Sequence, residues 1–230
     1  WSKTNPVIRI DFTGSEVTSR EKLDHAVMVM LKRYQTQFSI LCENDNAVDC
    51  FRELIIKVAE KYQRKIVLLI DEYDKPILDN ITNISIASEV REYLKTIYAV
   101  MKEQDAHIQL ILMTGVTKFS KVSLFSGVNQ IQDITLNSKY ATICGYTQYD
   151  LETSFADHLA DVDWIMLKEW YNGYNFLGDS VYNPYDILLF ISKGAKLFRP
   201  YWAETGGVTF LHKLFRENPF FVPDLDHIEA

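Results

Sequence analysis

The sequence predicts an α/β protein: a parallel sheet with helices on both faces, followed by a small helical domain. Three observations predict it. Residues 66–70 and 108–113 are short apolar runs with polar bounds, the pattern of strands buried on both faces. Segments with helical spacing separate the strand-like runs, as in parallel sheets with right-handed crossovers. Past Gly145 the strand patterns give way to helical ones. The expected domains are therefore residues 1–145 and 146–230.

The chain has 230 residues, 47% hydrophobic and 24% charged, enough for one large domain or two small ones. Its net charge is -7, and no strongly basic face marks it for nucleic acid. No apolar stretch approaches the ~20 residues of a membrane span, and no basic-then-apolar leader is visible. The chain begins at Trp1, so the expectation is a fragment of a longer protein. Cys42, Cys50 and Cys144 form no CxxC, which suggests buried free thiols in a reducing compartment. The expected location is the cytoplasm, or a host cytosol if the protein is secreted. With five scattered histidines the cysteines make no zinc site.

Taken in order, residues 6–12 read as a short strand closed by Thr13-Gly14-Ser15. Thr18 and Glu21 have capping-box spacing. Leu23, Val27, Met30, Leu31, Tyr34 and Phe38 then fall on one helical face. The polar run 43–46 can cap a second helix, with Val48, Phe51, Leu54, Ile55, Val58 and Tyr62 inward. The first buried run follows, ending abruptly in Asp71-Glu72. Pro76 takes the chain out of the sheet, since it cannot donate to a ladder. Residues 80–83 read as loop and 88–103 as helix. The second buried run ends at Thr114, residues 126–130 look like a turn, and 134–137 are a plausible strand.

In the second part, helical patterns cover 149–159 and 164–171, with Gly173 a C-cap candidate. Asn183-Pro184 is a cap followed by Pro at the first helical position, opening a helix over 185–192 that ends at Gly194. A last helix is expected near 210–216.

Two acids at the carboxyl end of a buried strand are costly unless they act on something. Ligands of open α/β sheets bind outside the carboxyl ends of strands. In P-loop NTPases this is the Walker B position: the first acid, here Asp71, helps hold Mg²⁺ through water. The second, Glu72, can polarise the attacking water. An acidic loop after a strand is the plainer explanation of the same residues. If the two buried strands are neighbours, Asp71-Glu72 and Thr114 share one sheet edge. A polar residue there is what ATPases use to sense the γ-phosphate; a Thr at a turn is the bland alternative.

The phosphate cradle GxxxxGK[ST] is absent, for the 230 residues contain no Gly-Lys dipeptide. Gly115-Val116-Thr117-Lys118-Phe119-Ser120 echoes it with the wrong spacing. No Lys has Asp or Glu two residues before it, so the metal-dependent nuclease tripeptide (D/E)xK is missing too. Trp170-Tyr171-Asn172-Gly173-Tyr174 could stack bases, but without basic neighbours domain-interface packing is the better reading. Arg91, Arg199 and Arg216 are arginine-finger candidates among which the sequence does not choose.

Several stretches together resemble the predicted AAA-ATPase-like family of bacterial and intracellular-symbiont proteins. They are Ile70-Asp71-Glu72-Tyr73-Asp74-Lys75-Pro76, Thr114 to Ser120 with Leu124-Phe125-Ser126-Gly127, and Tyr140-Ala141-Thr142-Ile143-Cys144-Gly145-Tyr146-Thr147. Trp170 to Tyr174, Tyr182-Asn183-Pro184-Tyr185-Asp186 and Tyr201-Trp202-Ala203-Glu204-Thr205-Gly206 complete the set. The resemblance implies a three-layer P-loop NTPase-like (ASCE/AAA-like) core and a helical, lid-like region. It implies ATP and Mg²⁺ as cofactors, used together with an upstream P-loop, and a C-terminal nuclease domain in many members. By that resemblance Asp71 takes the Mg²⁺ role, Glu72 the water-activating role, Thr114 the sensor position and Lys118 a part in nucleotide binding. The central strand leading into the P-loop would be absent here, leaving a groove for a partner strand or for dimerisation. The expected partners are a second copy or another protein, with nucleic acid only through a separate nuclease domain and no membrane. The function so read is the core of an ATP-hydrolysing ATPase. The alternative is a non-catalytic scaffold or partner-binding module that keeps an NTPase fold.

Overall fold

The computed structural model describes residues 4–116, 124 and 131–204. It divides into two compact units, residues 1–131 and 132–230. In the first unit, strands β1 (Val7–Asp11), β2 (Ile66–Asp71) and β3 (Ile108–Met113) form a parallel sheet in the order β1-β2-β3. The two apolar runs are thus neighbours, the condition under which Asp71-Glu72 and Thr114 share one sheet edge. The three strands make one continuous sheet. The groove expected within the sheet is not found among them, because β1 and β3 each pair directly with β2.

Helix α1 (Arg20–Phe38) starts one residue later than the Thr18 pattern suggests. Ser19 is the cap, its hydroxyl accepting from Lys22 N at 3.3 Å. Helix α2 (Ala47–Tyr62) is capped by Asn46, which accepts from Asp49 N. A short helix, α3 (Lys75–Leu78), follows β2 and carries Pro76 in its first turn, where a missing N–H does no harm. Helix α4 (Ile84–Glu103) begins four residues before the expected start at 88. Asn83, read as loop, is its cap, accepting from Ile86 N at 3.2 Å.

Strand alternation gives the sheet two unlike faces. Ile8, Ile10, Phe12, Ile66, Leu68 and Ile70 are buried on one face. They share a core with Leu23 and Leu31 of α1, Phe51, Leu54 and Val58 of α2, and Val90, Leu94, Ile97 and Met101 of α4. The other face carries Val7, Arg9 and Asp11 in register with Val67, Leu69 and Asp71, and then Leu110 and Leu112. Val7, Leu110 and Leu112 are 40%, 40% and 44% exposed there, whereas 108–113 was read as buried.

Residues 131–137 form no strand, contrary to the pattern at 134–137. Local hydrogen bonds turn the chain instead: Asp133 Oδ1 accepts from Thr135 N, and the Asn137 backbone N donates to Ile134 O. In the second unit, α5 (Gln148–Ser154) opens with a reciprocal Thr147–Asp150 capping box. The pattern over 149–159 breaks at Phe155 into a single 3-10 turn, Ala156–His158. Helix α6 (Trp164–Tyr171) starts at Asp163, and α7 (Pro184–Ser192) starts at Asn183 with Pro184 in its first turn. Asn172, with φ -101°, ends α6, so Gly173 is not a left-handed cap. Gly194, at φ 83° just past α7, is in that conformation. A short helix, α8 (Tyr201–Glu204), completes the described chain. The helix expected over 210–216 lies outside the described residues.

This unit has its own core: Leu151, Leu159, Leu167, Tyr171, Tyr182, Ile187, Phe190 and Tyr201. Gly145 belongs inside it. A Cβ on Gly145 would lie 2.4 Å from the Val181 side chain, and Tyr146 bridges antiparallel to Tyr182 beside it.

Candidate functional site

Parallel pairing brings all three strand ends to one side of the sheet. β1 ends at Asp11, β2 at Asp71, and β3 runs into Thr114; Asp11 and Asp71 are register partners. Thr114 N donates to Ile70 O at 2.9 Å, which extends the ladder by one residue. The Thr114 hydroxyl then reaches Asp71 and donates to its Oδ1 at 2.5 Å. Asp71 and Thr114, singled out from separate segments, are therefore in direct contact.

Asp71 Oδ2 accepts from Arg9 Nη2 at 2.7 Å, and the same nitrogen lies 2.8 Å from Asp11 Oδ2. Asp11 Oδ1 in turn accepts from Thr13 N at 2.9 Å and from the Thr13 hydroxyl. The Thr13 hydroxyl and amide, with help from Arg9, hold the Asp11 carboxyl below its ordinary range. Arg9 and Asp11 were missed, because residues 6–12 were read only as a strand. The available signal was their spacing of two, which puts both on one face.

Glu72 is the first residue beyond the sheet, and its backbone is left-handed, with φ 56°. For a residue with a long side chain that conformation is strained, and such strain collects at functional sites. It turns the chain sharply, so that Tyr73 N donates to Thr114 O at 2.9 Å and Lys75 N to Glu72 O. Burial raises the Glu72 pKa from its ordinary value, and the charges of Asp74 and Asp71 raise it further. A carboxylate that gains from taking up a proton suits a general base.

The turn is clamped from beneath. Asp74 is fully buried, and its Oδ1 accepts from Val116 N at 3.2 Å. Buried Tyr98 donates its hydroxyl to Tyr73 O at 3.0 Å. Gly115 lies flat against both residues: a Cβ there would be 2.6 Å from Asp74 Oδ1 and 2.6 Å from the Tyr73 ring. Only a glycine lets the segment after β3 come this close to the turn after β2.

Lys118 lies outside the described residues, as do Thr117 and Arg216. Arg91 pairs with Glu92 at 3.2 Å, and in the second unit Arg199 Nε lies 3.8 Å from Glu204. Cys50 is buried and Cys42 half-buried, and burial pushes the Cys42 thiol up to about 12. Cys144, expected to be buried, is exposed. Tyr171 packs on Phe190 and Phe198, with centroids 5.6 and 6.0 Å apart, so it serves the core of its own unit.

Among the described residues no cluster of three His, Cys, Asp or Glu could hold a metal by itself. The donors at the strand ends are all oxygen: a carboxylate oxygen pair and a hydroxyl. That set fits Mg²⁺, which takes one or two carboxylates, keeps several waters and draws its other ligands from phosphates.

A family model described as Predicted AAA-ATPase matches residues 1–125. A protein of Azotobacter chroococcum mcd 1, described as an uncharacterized protein in the vnfD 5' region, is 43% identical over 230 residues. That match takes in 100% of this chain and 44% of the relative, so the chain spans less than half of the relative's length. No solved structure matches.

Proposed function

The chain belongs to the predicted AAA-ATPase family, and from that premise we propose that it forms the core of an ATP-hydrolysing machine. One observation carries the reading: Asp71 and Thr114, at the ends of adjacent parallel strands, are hydrogen-bonded, and Glu72 follows at once. In this reading Asp71 would hold Mg²⁺ through water, and Thr114, which fixes the Asp71 carboxylate, would sense the γ-phosphate. Glu72 orients and deprotonates the attacking water. Bound Mg²⁺ would neutralise charge on the phosphates. The exposed Val7, Leu110 and Leu112 face leaves room for the further layer that a three-layer P-loop arrangement would add. The helices of the second unit act as the lid.

The test is Glu72→Gln in the intact protein, read by Mg·ATP titration and by phosphate release. The amide keeps the shape and loses the base. Hydrolysis should fall by roughly 100-fold or more, with nucleotide affinity unchanged. Loss of affinity, or turnover that persists, removes Glu72 from the role. If Mg·ATP binds neither the wild-type protein nor the variant, the scaffold reading takes over.

A further inference from the structure

The two oxygens of Asp71 have partners of different kinds. Oδ1 takes the neutral Thr114 hydroxyl, while Oδ2 takes a full positive charge from Arg9. Arg9 cannot shed that charge, because a guanidinium stays protonated throughout the physiological range. It can move, however. It sits on the open face of the sheet, its side chain is 52% exposed, and its Nη2 already touches a second carboxylate, Asp11. Asp11 is pinned independently by Thr13, so it stays in place whichever way Arg9 swings.

We propose that Arg9 is a positioning residue that controls divalent-metal access to Asp71, resting on Asp71 when the metal is away and on Asp11 when it arrives. The proposal builds on the assignment of Asp71 to the Mg²⁺ side of the site. The Arg9 guanidinium and a hydrated Mg²⁺ repel each other, and both seek the same carboxylate oxygen, so they compete for Oδ2. The shared nitrogen makes the exchange short: Arg9 keeps one bond while giving up the other. Asp11 then acts as a parking place whose carboxylate keeps the departed guanidinium beside the strand ends.

The test titrates Mg²⁺ alone into the isotopically labelled intact protein. It follows the Asp71 carboxyl carbon and the Arg9 Nε–H by NMR. Wild type, Arg9→Met, Arg9→Lys and Asp71→Asn are compared. Removing the charge in Arg9→Met should tighten Mg²⁺ at Asp71 about tenfold, the effect of one nearby unit charge in a wet site. Arg9→Lys restores the charge and should bring affinity back toward wild type. In wild type the Arg9 signal should shift along the same saturation curve as Asp71. Unchanged or weaker binding in Arg9→Met, with binding still abolished in Asp71→Asn, overturns the Arg9 proposal alone. Binding that survives Asp71→Asn, or no binding in any form, overturns the assignment of Asp71 and the proposal with it.

Discussion

The two units of the chain solve the same problem, closing a core, with opposite chemistry. The first closes an aliphatic core and gathers its charge at the strand ends, where Asp11, Asp71, Glu72 and Arg9 crowd beside a left-handed backbone. The second closes a core in which Tyr171, Tyr182, Phe190 and Tyr201 make up half of the buried residues, and the Tyr171 and Tyr201 hydroxyls serve its own loops. The Tyr171 hydroxyl donates to Arg199 O and accepts from Arg199 N, and Tyr201 donates to Leu197 O. The difference teaches where to look for activity. Like charges crowded together and held in place by the surrounding structure mark a site, and only the first unit gathers them at its strand ends.

The largest effect should come from the second unit. Tyr171→Ala deletes a ring packed on Phe190, Phe198 and Tyr201 together with two hydrogen bonds. It should cost about 3–5 kcal/mol, read as lost amide protection in α6 and α7. Protection that survives would mean the ring is not the keystone described. Next is Gly115→Ala, which forces a methyl against Asp74 and Tyr73 and should cost about 1–3 kcal/mol in chemical denaturation. The variant should also lengthen the Thr114–Asp71 hydrogen bond in a crystal structure; a variant of wild-type stability and geometry would show that the clamp is slack.

A smaller effect has the opposite sign. Glu72→Gly relieves the left-handed backbone and removes a carboxylate placed near two others. It should raise stability by about 1 kcal/mol in the same denaturation assay. Destabilisation would mean that Glu72 is held by favourable contacts and that the site stores no strain there. The smallest effect is one of pH. The folded protein raises the Glu72 pKa above its ordinary 4.5, so the folded state holds this proton more tightly than the unfolded state. Its contribution is fully favourable below that ordinary value and is lost as pH rises through the raised one. Thermal melts of Glu72→Gln and wild type should therefore converge at acid pH, and the variant should be the more stable near neutrality. Parallel curves would refute the shift.

Much of the site could be read in advance because two of its strands advertise themselves. An apolar run that stops on Asp71, and another that stops beside Thr114, reveal strand ends, and parallel topology puts such ends together. Arg9 and Asp11 were not visible in that way. Their strand is short and carries charges on its open face, and the pairing of Asp11 with Asp71 depends on register, which no local pattern encodes. The helix starts at Ser19 and Asn83 were misread by a few residues for a similar reason. Several polar residues precede each helix, and only packing decides which of them caps it. Gly115 stood out only as the start of an echo of the phosphate cradle, yet its need for glycine comes from the distant residues Tyr73 and Asp74.

The order of the strands also sets when the site can come into being. The two bonds to Asp71 join residues 62 and 43 positions apart, and none of their partners lies on the same element. Each bond closes a long loop, whose entropy is lost before the contact returns anything. During synthesis, Arg9 and Asp71 can meet long before Thr114 leaves the ribosome. The nascent chain therefore holds its acids against an arginine and completes the oxygen cluster only when β3 docks. A half-made chain presents a strand end whose two aspartates share one arginine rather than a bare pair of carboxylates.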